Sequence, residues 1–115
     1  MWLWLAAVTM VVVACVHALV GERRLIGPIL AINDSVILLP LARRVLRFAW
    51  HMTSMLMILC GLVLIWPGTD LLLVRIIGAA WLAAGLFDGA YTRGRHIGWP
   101  FLTAAGAFAL LGSVA

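Results

Sequence analysis

Two apolar runs and the break between them decide the fold: VLRFAWHMTSMLMILCGLVLIW (residues 45–66), PGTD (67–70) and LLLVRIIGAAWLAAGLFDGAY (71–91). A helix needs about 20 consecutive apolar residues to cross the hydrocarbon core of a bilayer, and each run is long enough. Pro67 cannot continue the first helix, and Asp70 can cap the second. The stretch therefore predicts two membrane-spanning helices that a tight turn makes antiparallel neighbours.

The composition of the whole chain is that of a membrane protein. Of its 115 residues, 66% are apolar and 10% are charged, whereas a soluble domain has about 45–50% apolar and about 25% charged residues. This balance excludes a cytosolic enzyme, a disulfide-framed secreted domain and a free nucleic-acid-binding protein. Runs such as Val11-Val12-Val13 lack the alternation of outer-membrane strands. The spans are therefore predicted to be helices, which satisfy their own backbone groups in lipid.

Two further apolar segments complete the predicted fold. Between the first and second spans, residues 25–42 are apolar except for Asn33-Asp34-Ser35. A fifth span would place this triplet near the bilayer centre, where Asp alone costs about 2.5–3.5 kcal/mol, so an interfacial or re-entrant segment is favoured over it. We predict an all-α integral membrane protein with a single membrane domain, an antiparallel bundle of four transmembrane helices at about residues 2–20, 45–66, 71–91 and 98–115.

The arginines predict the orientation. The chain has eight arginines and no lysine, and seven of them lie in the first and third connections, whereas Arg75 lies toward the other side. Under the positive-inside rule, this places those connections in the cytoplasm and both termini outside an inner (plasma) membrane. The net charge of +4 then reflects topology and contact with anionic lipid rather than nucleic acid. The predicted headgroup contacts are Arg23, Arg24, Arg43, Arg44 and Arg47.

Small residues at helical spacing predict the faces at which the helices meet. Lipid tails are as apolar as leucine, so small residues mark helix contacts in membranes better than large apolar ones do. The most explicit pattern is Gly85-x-x-x-Gly89, which would also suit a homodimer face or a partner membrane protein. The glycines predicted to pack helices are Gly61, Gly78, Gly85, Gly89 and Gly106.

Ionisable residues near the span ends provide the candidate site. Charge inside a span is costly and by default indicates function. The predicted topology collects the titratable candidates at the cytoplasmic end, with Ser54 one turn from His51. Histidines with carboxylates suit a transition metal, a proton relay or an anionic headgroup. The candidates for ligand or proton binding are His17, Glu22, His51, Ser54, Asp88 and His96, of which the three histidines are also the metal candidates.

These residues leave several functions open. We favour a small binding or transport protein for a proton-coupled solute or a lipid headgroup. The alternatives are a structural or accessory subunit of a membrane complex and a metal- or haem-binding redox protein. In a purely structural role, His17 and His51 would hydrogen-bond across helices, and Asp88 would pair with Arg93 or Arg95. No HxxxH, ExxH or CxxC spacing occurs, so no cofactor is assigned. An enzyme is not favoured, because no third group is placed to orient the histidine beside Ser54.

Overall fold

The computed structural model describes residues 1–32 and 39–115. The regular secondary structure of these residues is all helical, and they contain no strand, so the predicted all-α class is confirmed. The centre of the predicted interfacial or re-entrant segment, residues 33–38 with Asp34, lies outside the described residues.

The first helix is longer than the sequence indicated. Helix α1 spans Trp2–Gly21, passes directly into a π-helical segment, Glu22–Ile26, and ends in the single turn α2, Gly27–Leu30. Within the π-helical segment, the Gly27 backbone N–H donates to the Glu22 carbonyl. This wider turn lies just before Pro28, where a regular α-helix loses a donor and meets a steric clash. The helix therefore continues about ten residues beyond the predicted end at residue 20.

Three further helices follow, at Pro40–Ile65 (α3), Leu71–Tyr91 (α4) and Trp99–Gly112 (α5). Helix α3 begins five residues before the predicted residue 45, since proline suits the first turn of a helix. The tight turn before α4 is present, and Asp70 Oδ1 accepts a 2.7 Å hydrogen bond from the Leu72 backbone N–H as a cap. The proline at the start of α3 and the aspartate cap of α4 therefore set these helix boundaries.

Three helices of the described residues are long and apolar enough to cross a membrane: Trp2–Leu30, Pro40–Ile65 and Leu71–Tyr91. Helix α5 is also apolar but has 14 residues. At about 1.5 Å per residue it is roughly 21 Å long, against a hydrocarbon core of about 30 Å. The long apolar helices agree with the predicted membrane class.

The helices pack in the order α3, α1, α5, α4. Helix α1 contacts α3 on one side and α5 on the other, and α4 packs against α5. Among the described residues, α3 and α4 touch only slightly although a short turn joins them. The core lies along α1 and α5, and its buried members are Ala6, Met10, Val13, Leu64, Val74, Trp81, Ala105 and Ala109.

Each predicted packing glycine lies at a contact between helices of the chain. A Cβ on Gly61 would lie 3.1 Å from the Ala7 carbonyl oxygen, at the contact between α3 and α1. A Cβ on Gly85 would collide with the backbone of Thr103 in α5. Gly78, Gly89 and Gly106 meet the same α4–α5 interface. The Gly85-x-x-x-Gly89 face is therefore covered by α5 within the chain rather than open for a dimer.

Candidate functional site

The last turns of α1 meet α3 through a histidine and a tryptophan. His17 Nδ1 lies 2.8 Å from the Ser54 hydroxyl oxygen, and Ser54 is buried. The His17 ring stacks on Trp50, with centroids 3.9 Å apart and planes 11° from parallel. The Trp50 indole N–H donates to the His17 carbonyl at 3.0 Å. Gly21 makes room for this indole, because a Cβ there would collide with it.

One carboxylate, Glu22, links two side chains of α3 at the edge of this contact. Glu22 Oε1 accepts from Arg47 Nη2 at 2.9 Å, and Glu22 Oε2 accepts from His51 Nε2 at 3.1 Å. The side chains of Glu22, Arg47 and His51 are 29%, 53% and 43% exposed. We call these three residues the Glu22 network. A partly exposed carboxylate shared by two donors is a site where another anion can compete for both.

The second polar pair closes the C-terminus of α4. His96 Nδ1 lies 2.5 Å from Asp88 Oδ2. Asp88 is therefore paired with His96, and not with Arg93 or Arg95 as the structural alternative predicts. Thr92 donates its hydroxyl to the Asp88 carbonyl at 2.7 Å and accepts from the His96 backbone N–H at 3.3 Å. This pair orders the turn between α4 and α5.

The predicted site residues thus form two groups. His17, Glu22, His51 and Ser54 lie at the α1–α3 contact, whereas Asp88 and His96 lie at the α4–α5 turn. Charges on His51 and His96 are close enough to interact with His17, so all three imidazoles share one end of the molecule. Ser54 pairs with His17 rather than with His51, its neighbour one turn away.

The arrangement of the histidines and carboxylates does not provide a set of ligands for a metal ion among the described residues. Within residues 1–32 and 39–115, no three His, Cys, Asp or Glu residues are grouped as a metal site. The Glu22 network has one carboxylate and one imidazole, and its third member is an arginine, which cannot serve as a metal ligand in the way that histidine does. Cys15 and Cys60 are both free thiols.

Trp50 is the site residue that sequence reasoning missed. It lies four residues before Ser54, and the i, i+3, i+4, i+7 spacing of Arg47, Trp50, His51 and Ser54 brings all four to one region of α3. The signal was therefore present as a helical stripe, but a tryptophan in an apolar helix is also typical of packing or of an interface anchor.

Comparison of the chain with protein-family models, curated proteins and solved structures found no match. A function must therefore be inferred from the chemistry of the chain's own residues, above all from the half-exposed Glu22 network and the arginines around it. Arg23, Arg24 and Arg44 are exposed at the same end of the molecule.

Proposed function

We propose that this chain is an inner-membrane protein whose Glu22 network binds a small anionic group, a lipid headgroup or a solute, in a proton-dependent manner. The observation that carries the proposal is the sharing of one carboxylate by Arg47 and His51 at 2.9 and 3.1 Å. An anion that takes the place of Glu22 would find a guanidinium and an imidazole already positioned.

The proposal includes four antiparallel spans, with α5 as the shortest, and both termini outside. The end of the molecule that carries the Glu22 network also carries seven of the eight arginines. The positive-inside rule assigns such an end to the cytoplasm. Arg75 lies toward the other end, where its Nη2 donates to the Ser113 carbonyl at 3.5 Å. An arginine-rich interface attracts anionic groups to the network.

Protonation of His51 would change the charge of the network. With neutral His51, the charges of Glu22 and Arg47 cancel, and with protonated His51 the network carries a net charge of +1. Histidine changes charge in the physiological pH range. The charges of His51 and His96 both act on His17, on the facing helix, so protonation of any of the three histidines adds positive charge at this end of the molecule. Anion binding should therefore strengthen as the pH falls.

The test uses dimethyl phosphate, a soluble phosphate diester that keeps one negative charge at both pH 6 and pH 8, with the purified protein in detergent. The three histidine side chains, labelled with ¹⁵N, report binding by NMR. We expect saturable shifts of the His51 resonances at pH 6 and about fivefold weaker binding at pH 8, as for the loss of about one charge. Arg47→Gln should abolish the shifts, whereas Arg95→Gln, which removes the same charge outside the network, should leave them. If both variants weaken binding equally, the probe is attracted by the overall positive charge and not bound at the Glu22 network, which would contradict the proposal.

A second candidate function is that of an accessory subunit of a membrane complex. The observation in its favour is an exposed aromatic pair on α4, Phe87 and Tyr91, with ring centroids 5.6 Å apart and residue exposures of 69% and 79%. Exposed aromatic surface is typical of contact with a partner or with the membrane interface. Extraction in gentle detergent followed by light scattering tests this. A stable complex larger than the chain itself is expected, and a lone chain would count against it.

A further inference from the structure

An apolar groove runs along one side of the α1–α3 contact. It has a volume of about 250 Å³, and no polar surface lines it. The contact beside it is close because Gly61 brings α3 against Ala7 of α1. The residues that line the groove are Trp4, Ala7, Val8, Val11, Val12, Gly61, Leu62 and Ile65.

The groove and the Glu22 network lie on the same side of this contact. On α1, steps of three or four residues, which keep to one helix face, connect the groove to Glu22. On α3, the same steps connect it to His51 and Arg47. We call this surface the α1–α3 seam, and it contains Trp4, Val8, Val11, Cys15, Ala18 and Glu22 on α1, with Arg47, His51, Met55, Ile58, Leu62 and Ile65 on α3.

The seam has the length and the chemistry of a lipid site. Trp4 and Glu22 are 18 positions apart, or about 27 Å of helix, close to the thickness of the hydrocarbon core. Half of that core, about 15 Å, corresponds to roughly ten residues, so one leaflet reaches from Glu22 to about Val12. The groove begins at that depth. Between these points the seam is lined by Cys15, Met55 and Ile58. Their side chains are apolar, and all three are exposed, so this part of the seam is open to a lipid chain.

We propose that the anionic group bound at the Glu22 network is the phosphate of an anionic phospholipid from the arginine-rich leaflet, with one acyl chain lying in the α1–α3 seam. This inference rests on the proposed function and assigns its ligand class. The phosphate replaces Glu22 as the acceptor for Arg47 and His51, and the chain passes Cys15 toward Val11 and Val12. Charge complementarity selects the headgroup. The apolar walls of the seam contact the acyl chain, whereas a soluble anion has no apolar part to bind there.

The experiment measures lipid selectivity with spin-labelled lipids. The protein is reconstituted at pH 6 in phosphatidylcholine vesicles that contain a trace of spin-labelled phosphatidylglycerol or spin-labelled phosphatidylcholine. The motionally restricted fraction gives the relative association constant. We expect phosphatidylglycerol to be preferred about fivefold, as for one arginine near an anionic group. Arg47→Gln should remove this preference.

Two matched variants separate the seam from the headgroup site. Cys15→Trp fills the seam midway between the groove and Glu22, whereas Val16→Trp adds the same bulk to an exposed position one residue further along α1. Cys15→Trp should reduce the preference at least threefold, and Val16→Trp should not. Dimethyl phosphate should bind equally to both variants. Met55→Trp fills the seam from α3 and serves in place of Cys15→Trp if that variant does not fold.

The outcomes distinguish this inference from the function on which it rests. If Cys15→Trp and Met55→Trp both keep the preference while Arg47→Gln loses it, the headgroup binds without the seam and the inference is overturned. If dimethyl phosphate binds but phosphatidylglycerol is not preferred, the ligand is a soluble anion, and the proposed function alone survives. If the wild-type protein binds neither probe, both proposals are wrong.

Discussion

His17 of α1 and Ser54 of α3 lie 2.8 Å apart, from Nδ1 to the hydroxyl oxygen, in a contact that also holds the indole of Trp50. This bond joins the two helices just inside the half-exposed Glu22 network. The α1–α3 contact therefore has a part-buried structural part and a more exposed outer part, where we propose that anions bind, and substitutions should separate the two.

Loss of the Ser54 hydroxyl should destabilise the fold. In Ser54→Ala, His17 Nδ1 loses its partner at a part-buried contact, and we expect a loss of about 1 kcal/mol, within the range for interhelical hydrogen bonds in membranes. Unfolding in a series of detergent mixtures measures this. The control is Thr53→Ala, because the exposed Thr53 hydroxyl donates only to the Ala49 carbonyl of its own helix. Equal losses in both variants would show that the His17–Ser54 bond contributes no stability.

A side chain at Gly21 should displace Trp50 from His17. In Gly21→Ala the new methyl group would occupy the space of the indole, which must move. Since the stacked indole shields the ring protons of His17, we expect their NMR resonances to shift downfield. The His96 resonances, which belong to the α4–α5 turn, provide the internal control. Unchanged His17 resonances would mean that the stacking tolerates the methyl group, against this account.

Bulk at Gly85 should separate α4 from α5. Gly85→Val places its side chain against the Thr103 backbone, which cannot move without shifting the helix. We expect a loss of about 1–3 kcal/mol, as for overpacking of a close contact. Ala84→Val adds comparable bulk on the exposed side of α4 and should be nearly neutral. Thermal unfolding monitored by circular dichroism compares them, and a neutral Gly85→Val would contradict the close α4–α5 approach.

Removal of the Glu22 charge should strengthen anion binding. In Glu22→Gln, the carboxylate no longer competes for Arg47 and His51, so we expect dimethyl phosphate to bind about fivefold tighter at pH 8. The gain from pH 8 to pH 6 should remain, because the substitution leaves the histidines in place. His51→Gln should instead remove most of that gain. Weaker binding to Glu22→Gln at both values would show that Glu22 holds the site together rather than competing with the ligand.

Several features of this protein follow from the sequence alone. The long apolar runs, the Asp70 cap and the glycines at helix contacts depend on local chemistry and on bilayer thickness, which the sequence records directly. The collection of His17, His51 and His96 at one end follows in the same way, because residue number along a span fixes depth.

Only the tertiary structure decided which of these residues meet. The sequence placed Ser54 beside His51 by helical spacing, but the structure pairs it with His17 across the α1–α3 contact. It also assigned Asp88 to His96, brought Glu22 between Arg47 and His51, and set the helix order α3, α1, α5, α4. The physical reason is that spans apolar on every side do not specify their rotation or their neighbours. Close packing at Gly61 and Gly85, and partners for the few polar groups, select among arrangements that hydropathy leaves equivalent.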